Sequence, residues 1–273
     1  VMDPIKKTGI RAVACHAALL ALCLSASAQE GSPLGNFATL EGCEQAPCGE
    51  FHHGTACCDN GNAGGYYGEI QFLRLKAHAS EGDTYSDDGV PRARNGYRIN
   101  LGYQTSEGLG ARFRYFDYDG AQEFPDGRGG LKADYFDFEV TDQFRLSKFD
   151  GILSAGYRHA NLEELYQDDN YADFKGDGLT LGAMLQRDMG CNLSLYGWMQ
   201  HSILVGDDPA AGSEGLVASW TELQLGGQYN NCVAGYNTFI RGGAEAQQHA
   251  GIVDDDSEDT GLFGWFLSCG VTF

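Results

Sequence analysis

The chain has 273 residues, 38 acidic against 18 basic side chains, a formal charge of −20 and 39 glycines, about twice the usual glycine share of roughly 7%. So acidic a chain is excluded as a nucleic-acid binder, because it would leave the phosphates it approached unneutralised. A hydrophobic content of 42% excludes a chain too polar to fold, and the lack of any run of about 18 apolar residues excludes a transmembrane helix; a soluble domain or a β-barrel is left.

Residues 1–28 open with Lys6, Lys7 and Arg11, continue through an apolar run from Ala12 to Leu24, and end in Ala26-Ser27-Ala28 before Gln29. Basic, apolar and small-residue regions in that order predict a cleaved secretory signal peptide and therefore export. Leu22 stands before Cys23, where a lipoprotein signal wants a small residue.

Residues 29–65 carry Cys43, Cys48, Cys57 and Cys58 among Gly, Pro, Asn and the pair His52-His53, with no strand-length alternation. In an oxidising compartment such a cluster is a disulfide candidate set of open connectivity. Zinc binding through His52 or His53 is the lesser alternative, because the spacing lacks paired Cys-x2-Cys units. A short cysteine-bearing periplasmic lead segment is expected.

From Tyr66 onward the period is two, the mark of strands with unlike faces. In residues 95–104, Tyr97, Ile99, Leu101 and Tyr103 oppose Arg98, Asn100, Gly102 and Gln104; after a short turn, Leu109, Ala111, Phe113 and Tyr115 oppose Arg112 and Arg114. Phe136, Phe138 and Val140 oppose Asp137 and Glu139; Leu153, Ala155 and Tyr157 oppose Ser154, Gly156 and Arg158; Leu179, Leu181 and Leu185 oppose Thr180, Gly182 and Gln186. Residues 191–205 follow the pattern with Tyr196 and Trp198 blurring the polar face, 217–229 set Leu223 and Leu225 against Glu222 and Gln224, and 232–245 set Ile240 and Ala244 against Arg241 and Glu245. The first strand, 66–77, is ambiguous, with Ile70 and Phe72 on one face and Leu73 and Leu75 on the other.

Ten strands result, and their connections alternate long (78–94, 119–130, 161–177, 206–215, 246–260) and short (105–108, 146–148, 188–190, 230–231). Outer-membrane barrels have short periplasmic turns and long external loops. The last strand places Phe263, Trp265, Leu267, Val271 and Phe273 on one face and ends on the aromatic; this resembles the assembly signal read by the insertion machinery of bacterial outer-membrane barrels. The expected fold is all-β, an antiparallel transmembrane β-barrel of about ten strands over 66–273.

The stretches Arg98-Ile-Asn-Leu-Gly-Tyr-Gln104, Gly108-Leu-Gly-Ala-Arg-Phe-Arg-Tyr-Phe-Asp-Tyr118, Asn192-Leu-Ser-Leu-Tyr-Gly197, Ile203-Leu-Val-Gly206 and Cys57-Cys58-Asp59 resemble the Legionella-type major outer membrane protein family, which also occurs widely in planctomycetes. The resemblance spans roughly residues 57–273. It implies a pore-forming barrel of the Gram-negative outer membrane and brings no catalytic residues.

No motif points to a cofactor, a metal or a catalytic site. Gly108-x-Gly110 lacks the third glycine and the helix of a nucleotide loop, and Asp254–Asp259 lacks the alternating ligands and central glycine of an EF-hand, so a solvated acidic loop is expected. A rim protease is weighed on His159 and His249, with Asp168, Asp169 and Asp254 in neighbouring loops, but no nucleophile setting accompanies them.

The polar faces are more informative. Arg98, Arg112, Arg114, Asp137, Glu139, Arg158, Glu222, Arg241 and Glu245 are predicted to line the lumen, with Arg112 and Arg114 on the strand beside Asp137 and Glu139. Such charges must pair or touch water, and a charged constriction sets selectivity in a channel. Cys191 and Cys232 are expected a whole strand apart, too far to bridge; Cys232 and Cys269 are expected on adjacent strands, more as small hydrophobes than as a disulfide. The five long loops hold 21 acids and four bases, an acidic mouth. The expectation is a small, cation-preferring pore for ions or small solutes, its partners being outer-membrane lipid and the assembly machinery; a non-conducting structural or surface-binding barrel is the alternative.

Overall fold

The computed structural model describes residues 64–79, 93–124, 127–166, 169–190, 192–209, 212–233, 236–251 and 259–273. The expected signal peptide and the disulfide candidates Cys43, Cys48, Cys57 and Cys58 lie outside them, as do Cys191, Asp168 and Asp254.

The described chain is all-β. Its strands are β1 (Gly65–Ala79), β2 (Arg94–Gln104), β3 (Leu109–Asp119), β4 (Gln122–Phe124), β5 (Gly127–Leu146), β6 (Phe149–Tyr166), β7 (Asp169–Gly190), β8 (Leu193–Asp208), β9 (Ser213–Val233), β10 (Tyr236–Ala250) and β11 (Thr260–Thr272). Each long strand pairs antiparallel with its neighbours, and the β3–β5 and β1–β11 pairings close the sheet into a ten-stranded barrel, with β4 a short strand on the start of β5. Closure leaves the long strands no free lateral edge through the wall. The seam is finished by Phe273, whose amide donates to the Tyr66 carbonyl at 2.8 Å.

The short turns lie at the end of the barrel that carries Phe273. Gly108 there has φ +96° and Gly190 φ +87°, a region open to glycine, and Asn192 takes φ +62°, which its short polar side chain tolerates.

Alternation along the strands separates wall from lumen. Phe72, Leu101, Phe138, Val140, Leu153, Leu179, Leu181, Leu195, Ile203, Leu225, Phe263, Trp265 and Leu267 stand exposed on the outside. Between them, Gln71, Arg98, Arg114, Asp137, Glu139, Arg158, Gln200, Glu222 and Glu245 are buried inside. This is the inverse of a soluble protein and the pattern of a barrel solvated by lipid. Beta1 resolves its ambiguous parity: Ile70 and Phe72 face out, whereas Leu73 and Leu75 are buried inside with Glu69 and Gln71.

Three expectations need correction. Two of the expected long loops are largely strand, since 161–177 is the hairpin of β6 and β7, paired up to Tyr166↔Asp169, and 206–215 is mostly the end of β8 and the start of β9. Alternation continues there with its chemistry exchanged: Leu162 and Phe174 are buried inside, while Asn161, Glu163 and Lys175 face out. Beta9 also runs on to Val233, so Cys232 belongs to β9, and β10 separates it from Cys269 on β11. Cys232 is disulfide-bonded, and Cys269 is free.

Candidate functional site

The lumen is the one place where all nine predicted charged residues meet. Strand pairing sets Arg112 opposite Glu139 and Arg114 opposite Asp137, so the neighbouring-strand pairs foreseen from the sequence form: Arg112 Nε donates to Glu139 at 2.7 Å, and Arg114 Nη1 lies 3.5 Å from Asp137.

The longest reach belongs to Arg98. Its guanidinium donates to Tyr135 Oη (2.9 Å), Gln71 Oε1 (2.8 Å), Glu222 Oε2 (2.7 Å) and both oxygens of Glu245 (2.8 and 3.1 Å). All five N–H groups of a planar fork are thereby engaged. Glu245 is saturated from its own side by Gln224 and Gln247, each donating at 2.6 Å. Glu222 also accepts from Tyr135 at 2.8 Å and lies 2.7 Å from Arg158. Arg158 forks onto Asp137 at 2.7 and 2.8 Å.

Two flanking groups complete the belt. Gln200 donates to Asp137, Glu139 and Thr180 at 3.2, 3.1 and 2.6 Å. Nearer the Phe273 end, Arg241 donates to Glu69 at 3.2 Å and to Gln228. Glu69 in turn accepts from Gln71 and Asn100, both at 3.0 Å.

The belt thus holds five guanidinium groups and five carboxylates, because Glu69 joins the four predicted acids. Equal numbers in direct contact are what low-dielectric burial demands. Aromatic rings supply the rest of the packing. The Arg158 guanidinium lies 3.7 Å from the Tyr135 ring centroid, Arg114 4.3 Å from Trp198, and Arg241 4.4 Å from Tyr196, distances at which cation–π attraction operates.

The aromatics that blurred the polar face of 191–205, Tyr196 and Trp198, are therefore lumen fillers. Sequence reasoning missed them with Glu69, Gln71, Tyr135 and Trp220. The available signal was positional: Tyr67, Glu69 and Gln71 fall on one parity of β1, and Tyr135 and Trp220 sit two residues from Asp137 and Glu222.

Beyond the belt, away from Phe273, the lumen changes to a layer of Leu75, Phe116, Leu131, Leu162, Phe174, Leu204, Leu262 and Phe266, each at most 2% exposed. Phe116 stacks on Tyr135 with ring centroids 5.0 Å apart. Belt and layer follow one another along the lumen.

The two candidate rim histidines do not converge. His159 faces out, Nδ1 2.8 Å from Asp177 Oδ1, with Tyr157 donating to the same oxygen. His249 is buried inside against Trp220, ring centroids 4.2 Å apart. The terminal-strand residues Phe263, Trp265, Leu267 and Phe273 are exposed on the outer face and Val271 is half-buried. No group of three or more metal-ligating side chains occurs among the described residues.

Known structures with a related architecture are bacterial barrels. The β domain of the Bordetella autotransporter BrkA is 14% identical, covering 77% of this chain and 99% of its own, with a TM-score of 0.39. Neisserial surface protein A is 11% identical over 76% of this chain and 97% of its own, TM-score 0.37. Ail, the attachment invasion locus protein of Yersinia pestis, is 13% identical over 77% and 99%, TM-score 0.34. At these identities and scores they say nothing of activity. No family model and no curated protein matches the chain, so the Legionella-type resemblance rests on its short motifs alone.

Proposed function

We propose that this chain is an exported outer-membrane barrel whose lumen is closed and which acts through its outward surface, as a structural or surface-binding protein. The observation that carries the reading is the packing inside the barrel, where Arg98 pairs with Glu222 and Glu245 across the lumen and an apolar layer follows them. A hydrated ion passing through would have to separate buried guanidinium–carboxylate pairs and then cross a dry layer, and both steps are costly. Outer-membrane lipid around the apolar wall and assembly machinery reading the Phe263–Phe273 strand are the partners this placement calls for. The excess of acidic over basic residues in 78–94 and 246–260 suits cationic partners.

The second reading is the small cation-preferring pore, which is also what the Legionella-type resemblance implies. The polar lining around Glu69, Asn100, Arg112 and Ser268 at the Phe273 end favours it; belt and apolar layer would then have to part on gating. A rim protease is a remoter proposal, resting on the outward His159–Asp177 pair.

Single-channel recording of the purified full-length chain in planar bilayers separates the first two. Silence at all holding potentials, with heat-modifiable migration certifying a folded barrel, is the expected result. Reproducible cation-selective steps would replace the closed reading with the pore. Peptide cleavage lost on His159→Ala would establish the protease.

A further inference from the structure

Where the ion belt meets the apolar layer, the buried polar atoms without a hydrogen-bond partner in the protein include Arg158 Nη1, Trp220 Nε1, Gln247 Oε1 and His249 Nε2. Their residues are between 0 and 5% exposed. They form one neighbourhood. Trp220 and His249 lie opposite each other on β9 and β10 with ring centroids 4.2 Å apart, and the Arg158 guanidinium is 5.5 Å from the Trp220 ring. Glu222, 2.7 Å from Arg158 Nη2, sits opposite Gln247 in the same register.

The chemistry left over is specific. Arg158 Nη1 offers two N–H donors and the indole one; the Gln247 carbonyl accepts; His249 Nε2 donates or accepts according to tautomer. Asp137 and Glu222 already compensate the Arg158 charge, so neither a small anion nor a small cation finds a net counter-charge. A small neutral molecule that both donates and accepts satisfies the set, and native interiors rarely leave such atoms dry.

We propose that this seam is an internal hydration site, with water bridging Arg158, Trp220, Gln247 and His249; a buried water typically makes about three hydrogen bonds to otherwise unsatisfied groups. The dry part of the lumen then begins beyond this site, at the apolar layer of Leu75, Leu131, Leu162 and Leu262. The site rests on the packing of the lumen and not on what the outer surface binds, so it stands or falls separately from the bilayer recording.

The test is magnetisation transfer from water to indole N–H protons in the full-length chain, refolded in lipid nanodiscs. Trp220 is one of three tryptophans, and its signal is assigned by Trp220→Phe or, if that variant does not fold, by elimination with Trp198→Phe and Trp265→Phe. Direct transfer from water to the Trp220 Nε1 proton, falling several-fold when Gln247→Leu and His249→Phe fill the site, is the expected result. An assigned Trp220 indole proton that receives no transfer in the unmutated chain, while the lipid-facing Trp265 serves as internal reference, means a dry seam and overturns the proposal.

Discussion

The central wall of the barrel and the hairpins of β5, β6 and β7 use the same alternation to opposite ends. In the wall, Leu153, Tyr157, Leu179 and Leu181 face out while Arg158 and Thr180 are buried inside. A few residues further along the same strands, Lys132, Asn161, Glu163 and Lys175 face out, while Leu131, Ala133, Leu162 and Phe174 are buried inside. The backbone does not change; the surrounding medium does. Apolar side chains outside suit lipid, whereas an apolar interior with a charged exterior suits water, so the inversion marks where these strands leave the bilayer. Lengths agree, since β5, β6 and β7 have 20, 18 and 22 residues against 11 in β2 and β3, and about 9–11 residues suffice to cross.

Five substitutions probe this contrast. The largest loss is expected from Glu222→Leu, which leaves Arg98 and Arg158 without a shared counter-charge; breaking a buried pair from one side costs about 3–5 kcal/mol, read as a lowered urea midpoint for unfolding from lipid vesicles. Leu162→Ala in the water-solvated hairpin should cost about 2–5 kcal/mol as an ordinary core truncation. If it proves neutral, the apolar interior of the hairpin is not a packed core and the contrast fails.

Depth separates the two outer faces. Leu181→Arg is expected to cost about 2–4 kcal/mol as a lipid-facing charge near mid-bilayer, whereas Asn161→Arg, beside Asp134, should stay within about 0.5 kcal/mol as a water-facing change. Equal penalties at the two positions would move the membrane boundary. A comparably small effect belongs to Lys132→Ala, which removes the exposed 3.1 Å pair with Glu163; such pairs are worth about 0.2–1 kcal/mol, and the difference should fade in high salt.

Much of this was legible in the residues. Period-two runs such as Tyr97–Tyr103 and Leu179–Leu185 announced strands and their outward faces, and the parity of Arg98, Arg112, Asp137 and Glu222 pointed them into the lumen. Glu69 was harder to read, because Leu73 and Leu75 share its face and spoil the polar stripe of β1; only their position beyond the belt explains them. The β6–β7 hairpin was read as a loop for the same reason. An alternation whose polarity reverses within one strand has no meaning until the strand is placed against two solvents.

Cys232 teaches a smaller lesson about boundaries. Moving the end of β9 by a few residues changed its strand and its neighbours, and with them the argument about which cysteines can meet. Strand ends are set by how far the partner strand continues to offer hydrogen bonds, which a single segment does not encode.

By itself the sequence determined the local period and hence the backbone state, the sign of each face and the even number of long strands, because these follow from side-chain chemistry two residues apart. Tertiary structure alone decided the partners. Arg98 on β2 finds Glu222 and Glu245, 124 and 147 residues away in the chain, because closing ten strands brings every inward face to one narrow axis, where buried charges must neutralise one another or be solvated.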